Sequence, residues 1–268
     1  MEAAFQEDVE QLAEKLVRFE ENPKNWGDEG AQGSLVGLFQ GPWGSNVPFQ
    51  VWEWAEKNHR QDVKSKIARS IAREVVVYRQ NQWDAWFNKL ELEARDALSK
   101  NDLEKYACFQ EGVLILGGIR RSKERIENIL VLYRLLGKKE KVVYYLNEKA
   151  MGMLSIFSSK KDKNMAWRLW VEAYYISKEI DFPKGVFFAV FGLGTYLSRI
   201  KADHMAVLFF YNAKLLAQEI QTPYGITARD ELRRVARRSN IEDSFYSKVM
   251  DSEELIRKFL DLVLCKKI

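Results

Sequence analysis

Cysteine, histidine and proline are all scarce in this chain, and each scarcity closes something off. Two cysteines, Cys108 and Cys265, cannot frame a disulfide scaffold, and reduced thiols in a cytoplasmic protein are the expectation. The two histidines, His59 and His204, give no metal-ligand spacing with each other or with the cysteines, so no metal and no other cofactor is expected. No nucleophile–base arrangement is legible, and the carboxylates are scattered as solvated charges are. No catalytic residue is therefore expected, and the chain is not expected to be an enzyme. No window approaches 18 uninterrupted apolar residues, which excludes a membrane-spanning helix. The acidic start, Met1 to Asp8, lacks the basic-then-apolar layout of a signal peptide.

What is present points to helix. Only 5 prolines and 15 glycines interrupt runs rich in Leu, Ala, Glu, Lys and Arg. Hydrophobic residues at 47% and charged residues at 30% suit a folded protein. The net charge of +4 is mild, so any affinity for anions has to come from how the charge is distributed.

Residues 1–22 carry Phe5, Val9, Leu12, Leu16 and Phe19 at helical steps and read as an acidic amphipathic helix stopped by Pro23. Residues 24–48 are rich in glycine and tryptophan and read as a long loop. Within it, Gly41-Pro-Trp-Gly-Ser-Asn46 resembles the opening of a phosphate-binding loop but lacks the lysine and the following hydroxyl that would hold phosphate and magnesium; a turn is expected. Helices are then predicted over 48–59, over 61–80 with Val63, Ile67, Ile71, Val75 and Tyr78 on one stripe, and over 81–99. In the last of these, Trp83, Trp86, Phe87, Leu90 and Leu98 read as core.

The clearest feature is an internal echo. Met165-Ala166, Ala173, Glu179-Ile180, Pro183 and Gly185 recur 40 residues on as Met205-Ala206, Ala213, Glu219-Ile220, Pro223 and Gly225. The same register aligns Gly112, Gly152 and Gly192, then Leu130, Trp170 and Phe210. Glycine costs a helix about 1 kcal/mol relative to alanine, so glycines in phase mark places where a neighbouring helix packs too close for a side chain. A fixed period of this size belongs to stacked helix pairs that bury their apolar faces only against neighbours.

The pattern resembles the tetratricopeptide repeat. One copy runs Leu193-Gly194, Leu197, Ala206, Phe210, Ala213 and Pro223. The copy before it runs Met153-Leu154, Phe157, Ala166, Trp170, Ala173 and Pro183, with Leu154 where the family has glycine. An earlier copy keeps Val113-Leu114, Gly117, Ile126, Leu130 and Tyr133 and has no terminal proline. The resemblance implies an all-α, right-handed α-solenoid of antiparallel helix pairs. It divides the chain into an N-terminal helix and loop (1–47), a helical part (48–101), repeats (102–224) and C-terminal capping helices (225–268) rich in arginine.

In tetratricopeptide proteins the first helix of each pair lines a concave groove. Carried over, that groove would hold Cys108, Glu111 and Ile115, then Glu148, Met151 and Ser155, then Phe188, Phe191 and Thr195. The positions are mostly apolar and lack the Lys, Asn and Arg set that clamps a C-terminal carboxylate. They suit an amphipathic helix or extended peptide, unless residues 1–48 fill the groove themselves. The implied function is non-catalytic protein binding, as an adaptor, scaffold, chaperone or assembly factor. A second copy stacking on the terminal repeat, giving a homodimer, stays open.

A second candidate surface is electrostatic. Arg120 and Arg121, Lys160 and Lys161, and Arg199 and Lys201 recur in the turns, and Arg237 and Arg238 extend the line. Such an edge suits nucleic acid or an acidic protein. Against it, cations at helix C-termini are favoured by the helix dipole alone, and no aromatic interleaves in the turns.

Overall fold

A computed structural model of the chain describes residues 2–22, 46–118, 123–154, 158–222 and 224–239. The described residues form eleven α-helices and no strand, so the protein is all-α, and the helices pack largely on their neighbours in sequence. They fall into two compact units, Met1–Lys138 and Lys139–Ile268. The division falls inside the segment 102–224 that the repeat register treats as one run. The expected loop lies outside the described residues, apart from Asn46 to Pro48; Val47 and Pro48 already open a helix.

The first unit holds α1 (Glu2–Glu21), α2 (Val47–Lys57), α3 (Gln61–Tyr78), α4 (Trp83–Ser99), α5 (Leu103–Gly117) and α6 (Lys123–Leu135). Helix α3 is its axle, packed on α1, α2 and α5, while α5 also packs on α4. Ile67, Ile71 and Val75 are fully buried along it, as their spacing requires, but Tyr78 at its end is exposed. Helix α1 buries Val9, Ala13, Leu16 and Phe19, so its apolar face is occupied within this unit. On α4 the buried stripe is Leu90, Ala94 and Ala97; Trp83, Trp86 and Phe87 are half-buried and Leu98 is exposed, because it lies off that stripe. A Cβ on Gly112 would stand 2.9 Å from the Ala68 carbonyl oxygen, so α5 rests against the backbone of α3.

The second unit holds α7 (Lys139–Met153), α8 (Lys160–Glu179), α9 (Pro183–Arg199), α10 (Asp203–Glu219) and α11 (Gly225–Arg238). Each packs on the next, and α7 also touches α9. A capping box starts α8: the Ser159 hydroxyl accepts from the Asp162 N–H at 3.1 Å, and the Asp162 carboxylate accepts from the Ser159 N–H. Pro183 opens α9, where its missing N–H costs no helical bond. The small stripe behaves as its spacing demands. Ala166, Ala173, Ala206 and Ala213 are wholly buried, with Trp170 and Phe210 filling the space between helices.

Helices α8, α9 and α10 end alike. Asp181, Lys201 and Gln221, twenty residues apart, adopt φ of 50°, 60° and 52°. The next N–H then reaches back five residues: Phe182 to Ser177, Ala202 to Leu197 and Thr222 to Ala217, at 2.8, 2.9 and 3.1 Å. This is the turn that glycine usually makes. Here three ordinary side chains make it, so the joints leave no glycine signal in the sequence.

Helix α9 comes very close to α8 at Gly192. A Cβ there would lie 2.7 Å from Cδ2 of Trp170 and nearer still to its Cε2 and Nε1. At Gly194 the nearest atom would be Phe210 Cδ1, at 3.0 Å. Both alanine replacements gain about 1 kcal/mol of helix propensity, but only Gly192→Ala drives a Cβ into a buried indole, an overpacking worth about 1–3 kcal/mol. In urea denaturation, Gly192→Ala is expected to be the less stable of the two by at least about 1 kcal/mol; equal midpoints would mean that Trp170 has room to move.

Candidate binding surfaces

The residues expected to line a groove divide between the two units. On α5, Glu111 is only 1% exposed, so it is closed into the first unit and cannot face an open groove. Ile115 is half-buried against the first unit's core, and Cys108 is half-buried. In the second unit, Glu148 and Met151 are half-buried on α7, and Ser155 lies outside the described residues.

Helix α9 brings its three positions together. Phe188, Phe191 and Thr195 are all half-buried, and the Thr195 hydroxyl donates to the Phe191 carbonyl at 3.0 Å. Around them stands a chain of rings from three helices. Phe188 meets Tyr224, at the start of α11, edge-on at 5.3 Å; Phe187 stacks on Phe191 at 6.0 Å; and Phe191 tilts against Phe210 of α10 at 5.5 Å. Phe187, Phe210 and Gly194 lie beneath, buried. The rings are held by one another, so the half-exposed edges form a firm apolar surface, with Lys184 Nζ 6.0 Å from the Phe188 ring centre.

The basic residues converge differently. Arg120 and Arg121 lie outside the described residues. Lys160, Lys161, Arg199 and Lys201 are exposed and make no ion pair among the described residues. Arg199 and Lys201 close α9, where the dipole favours them. Lys160 and Lys161 instead open α8, and a cation there opposes the dipole, which corrects their expected place at a helix end. The two sets share one end of the unit, since the Tyr196 hydroxyl of α9 meets the Asn164 side-chain oxygen of α8 at 3.3 Å. Helix α11 joins them: Arg238 donates to the Ser198 carbonyl at 3.0 Å and pairs with Asp203. That pairing holds the Asp203 carboxyl below the usual carboxylate range. Among the described residues the α9–α10 turn, Ile200 to Ala202, holds no aromatic residue, yet the helices bring one pair alongside: Trp167 and Tyr196, both half-buried, 5.1 Å apart.

No family model and no curated protein matches this chain. The tetratricopeptide resemblance therefore rests on the residues alone.

The first unit carries a different chemistry. A cleft of roughly 160 Å³ between α1, α2 and α3 is lined by Glu10, Glu14, Trp54, Arg60, Asp62 and Lys66, among others. Most of its charges are paired: Arg60 grips Asp62 with two hydrogen bonds, of 3.0 and 2.9 Å, while Glu14 meets Arg18 and Lys66 meets Glu21. Deeper in, α3 buries Lys64, Arg69 and Glu74. Lys64 pairs with Glu93 and Glu56 and lies 4.9 Å from the Trp52 ring centre. Among the described residues, no cluster of three or more His, Cys, Asp or Glu could hold a metal ion, and no helix is long and apolar enough to cross a membrane.

Glu74 is 4% exposed, and burial, partly offset by the charge of Arg79, pushes its carboxyl up to about 7. A group near neutrality is what general acid–base chemistry needs, but Glu74 does not line the cleft. Its consequence is for stability. With the folded value raised above the ordinary 4.5, its contribution is fully present below about pH 4.5 and is lost as pH rises through 7. Glu74→Gln is expected to flatten that fall and to exceed the parent by up to about 3 kcal/mol at pH 8. Urea denaturation at pH 5 and 8 checks this; parallel pH dependences would remove Glu74 as the cause.

Proposed function

We propose that this protein is a non-catalytic interaction module of the tetratricopeptide-like class, in which the helix pairs of the second unit turn as a right-handed α-solenoid. Its ligand is an amphipathic helix or extended peptide of a partner protein, laid on the aromatic surface of α9. The observation that carries the reading is the run of half-exposed rings Phe188, Phe191 and Tyr224 over buried Phe187 and Phe210. Rigid aromatic edges supply large contact area at little entropic cost, and they anchor helices in grooves. The echo of the second unit, with its buried alanine stripe, supports the solenoid part of the reading. A role as adaptor, scaffold, chaperone or assembly factor in the cytoplasm follows from it.

Peptides selected from a random display library against the full chain, then titrated by fluorescence anisotropy, test this reading. Selected sequences are expected to carry apolar residues at i, i+3 or i+4, and i+7, or at alternate positions. Phe188→Ala is expected to weaken them at least about tenfold, or 1.4 kcal/mol, measured at a temperature where the thermal melt shows the variant still fully folded. A library that yields no binder, or binders indifferent to Phe188→Ala, would sink the proposal.

A further inference from the structure

Beyond the α9 surface, the basic end of the second unit forms a site of its own. Lys160 and Lys161 from the start of α8, Arg199 and Lys201 from the α9–α10 turn, and Arg237 from the end of α11 are all exposed there. The hydrogen bonds of Tyr196 to Asn164 and of Arg238 to Ser198 tie these three places together. The carboxylates within the group are already engaged. Asp162 is held in the capping box of α8, and Asp203 by Arg238 and the Ser239 hydroxyl at 2.7 Å. A surplus of cations is left facing solvent. Beside them the Trp167–Tyr196 pair, tilted by 52° and half-buried, adds aromatic surface to the same end, and Trp167 is braced from below by Phe209 at 6.4 Å.

Cations without counter-charges, next to braced aromatic rings, are the two parts of a single-strand binding surface: the first track phosphates and the second stack on bases. We propose that this end of the second unit binds single-stranded nucleic acid, with Lys160, Lys161, Arg199, Lys201 and Arg237 on the backbone and the Trp167–Tyr196 pair under a base. An acidic protein would use the cations alone and leave the rings idle.

A fluorescently labelled single-stranded RNA of mixed sequence, titrated with the full chain at several salt concentrations, is the probe. Binding is expected to weaken linearly on a log–log salt plot, with a slope of roughly −0.7 per phosphate engaged. The variant K160E/K161E/R199E/K201E should lose at least about tenfold in affinity and salt slope with it, its fold checked by circular dichroism. Tyr196→Leu should weaken binding severalfold at unchanged slope, while Tyr196→Phe, which keeps the ring, should not. No binding at low salt, an unaffected charge-reversed variant, or polyglutamate bound as tightly as RNA would each overturn the proposal. The charge-reversed variant should still bind the peptides sensitive to Phe188→Ala, so the two surfaces stand or fall separately.

Discussion

The second unit depends on how closely its helices approach. Where Trp170 lies over Gly192, an indole occupies the space that a side chain on α9 would need. The same economy recurs at Gly185, where a Cβ would come within 2.7 Å of Val143 Cγ1, and along the buried alanines of α8 and α10. Helices at such short range exclude water along their whole contact and leave little slack for repacking. The aromatic surface on α9 inherits its rigidity from this, since its half-exposed rings sit directly on residues fixed by the close contact.

The first unit solves its packing by another route. Its axle, α3, carries Lys64, Arg69, Ser70 and Glu74 into the interior, together with Ile67 and Ile71. Charge in such a place is tolerated only when partners arrive. Lys64 meets two carboxylates and an indole face; Glu20 of α1 meets Ser70 and, at 3.3 Å, Arg73. The partners come from three helices, so these pairs fix how α1, α2 and α4 are set against α3. They define the arrangement more than they strengthen it.

The two strategies explain what the sequence reveals and what it conceals. Ala166, Ala173, Gly192, Ala206 and Ala213 were legible because small residues in register have few other uses. Phe188 and Phe191 were legible as positions, through the same register. Lys64 and Arg69 of α3 were not, because such residues ordinarily face water and partners such as Glu93 and Glu20 lie tens of residues away. Glu111 misled for a related reason: extending the register backwards into α5 assigned it a groove that the packing of the first unit closes. Tyr224 beside Phe188, and Trp167 beside Tyr196, are contacts between different helices, which no local spacing announces. The 40-residue register marks the small-residue stripes and is silent on such meetings.

The equal spacing of Asp181, Lys201 and Gln221 has a bearing on descent. From one left-handed joint to the second following it, the chain enters and leaves a helix pair in the same backbone conformation. A 40-residue cassette bounded this way can be copied or lost whole, and the flanking joints still match. Partial insertions have no such freedom, since they would shift a stripe off its partner. Change in the length of this region is thus channelled into whole helix pairs, and the echo in the sequence is the trace such a copying step would leave.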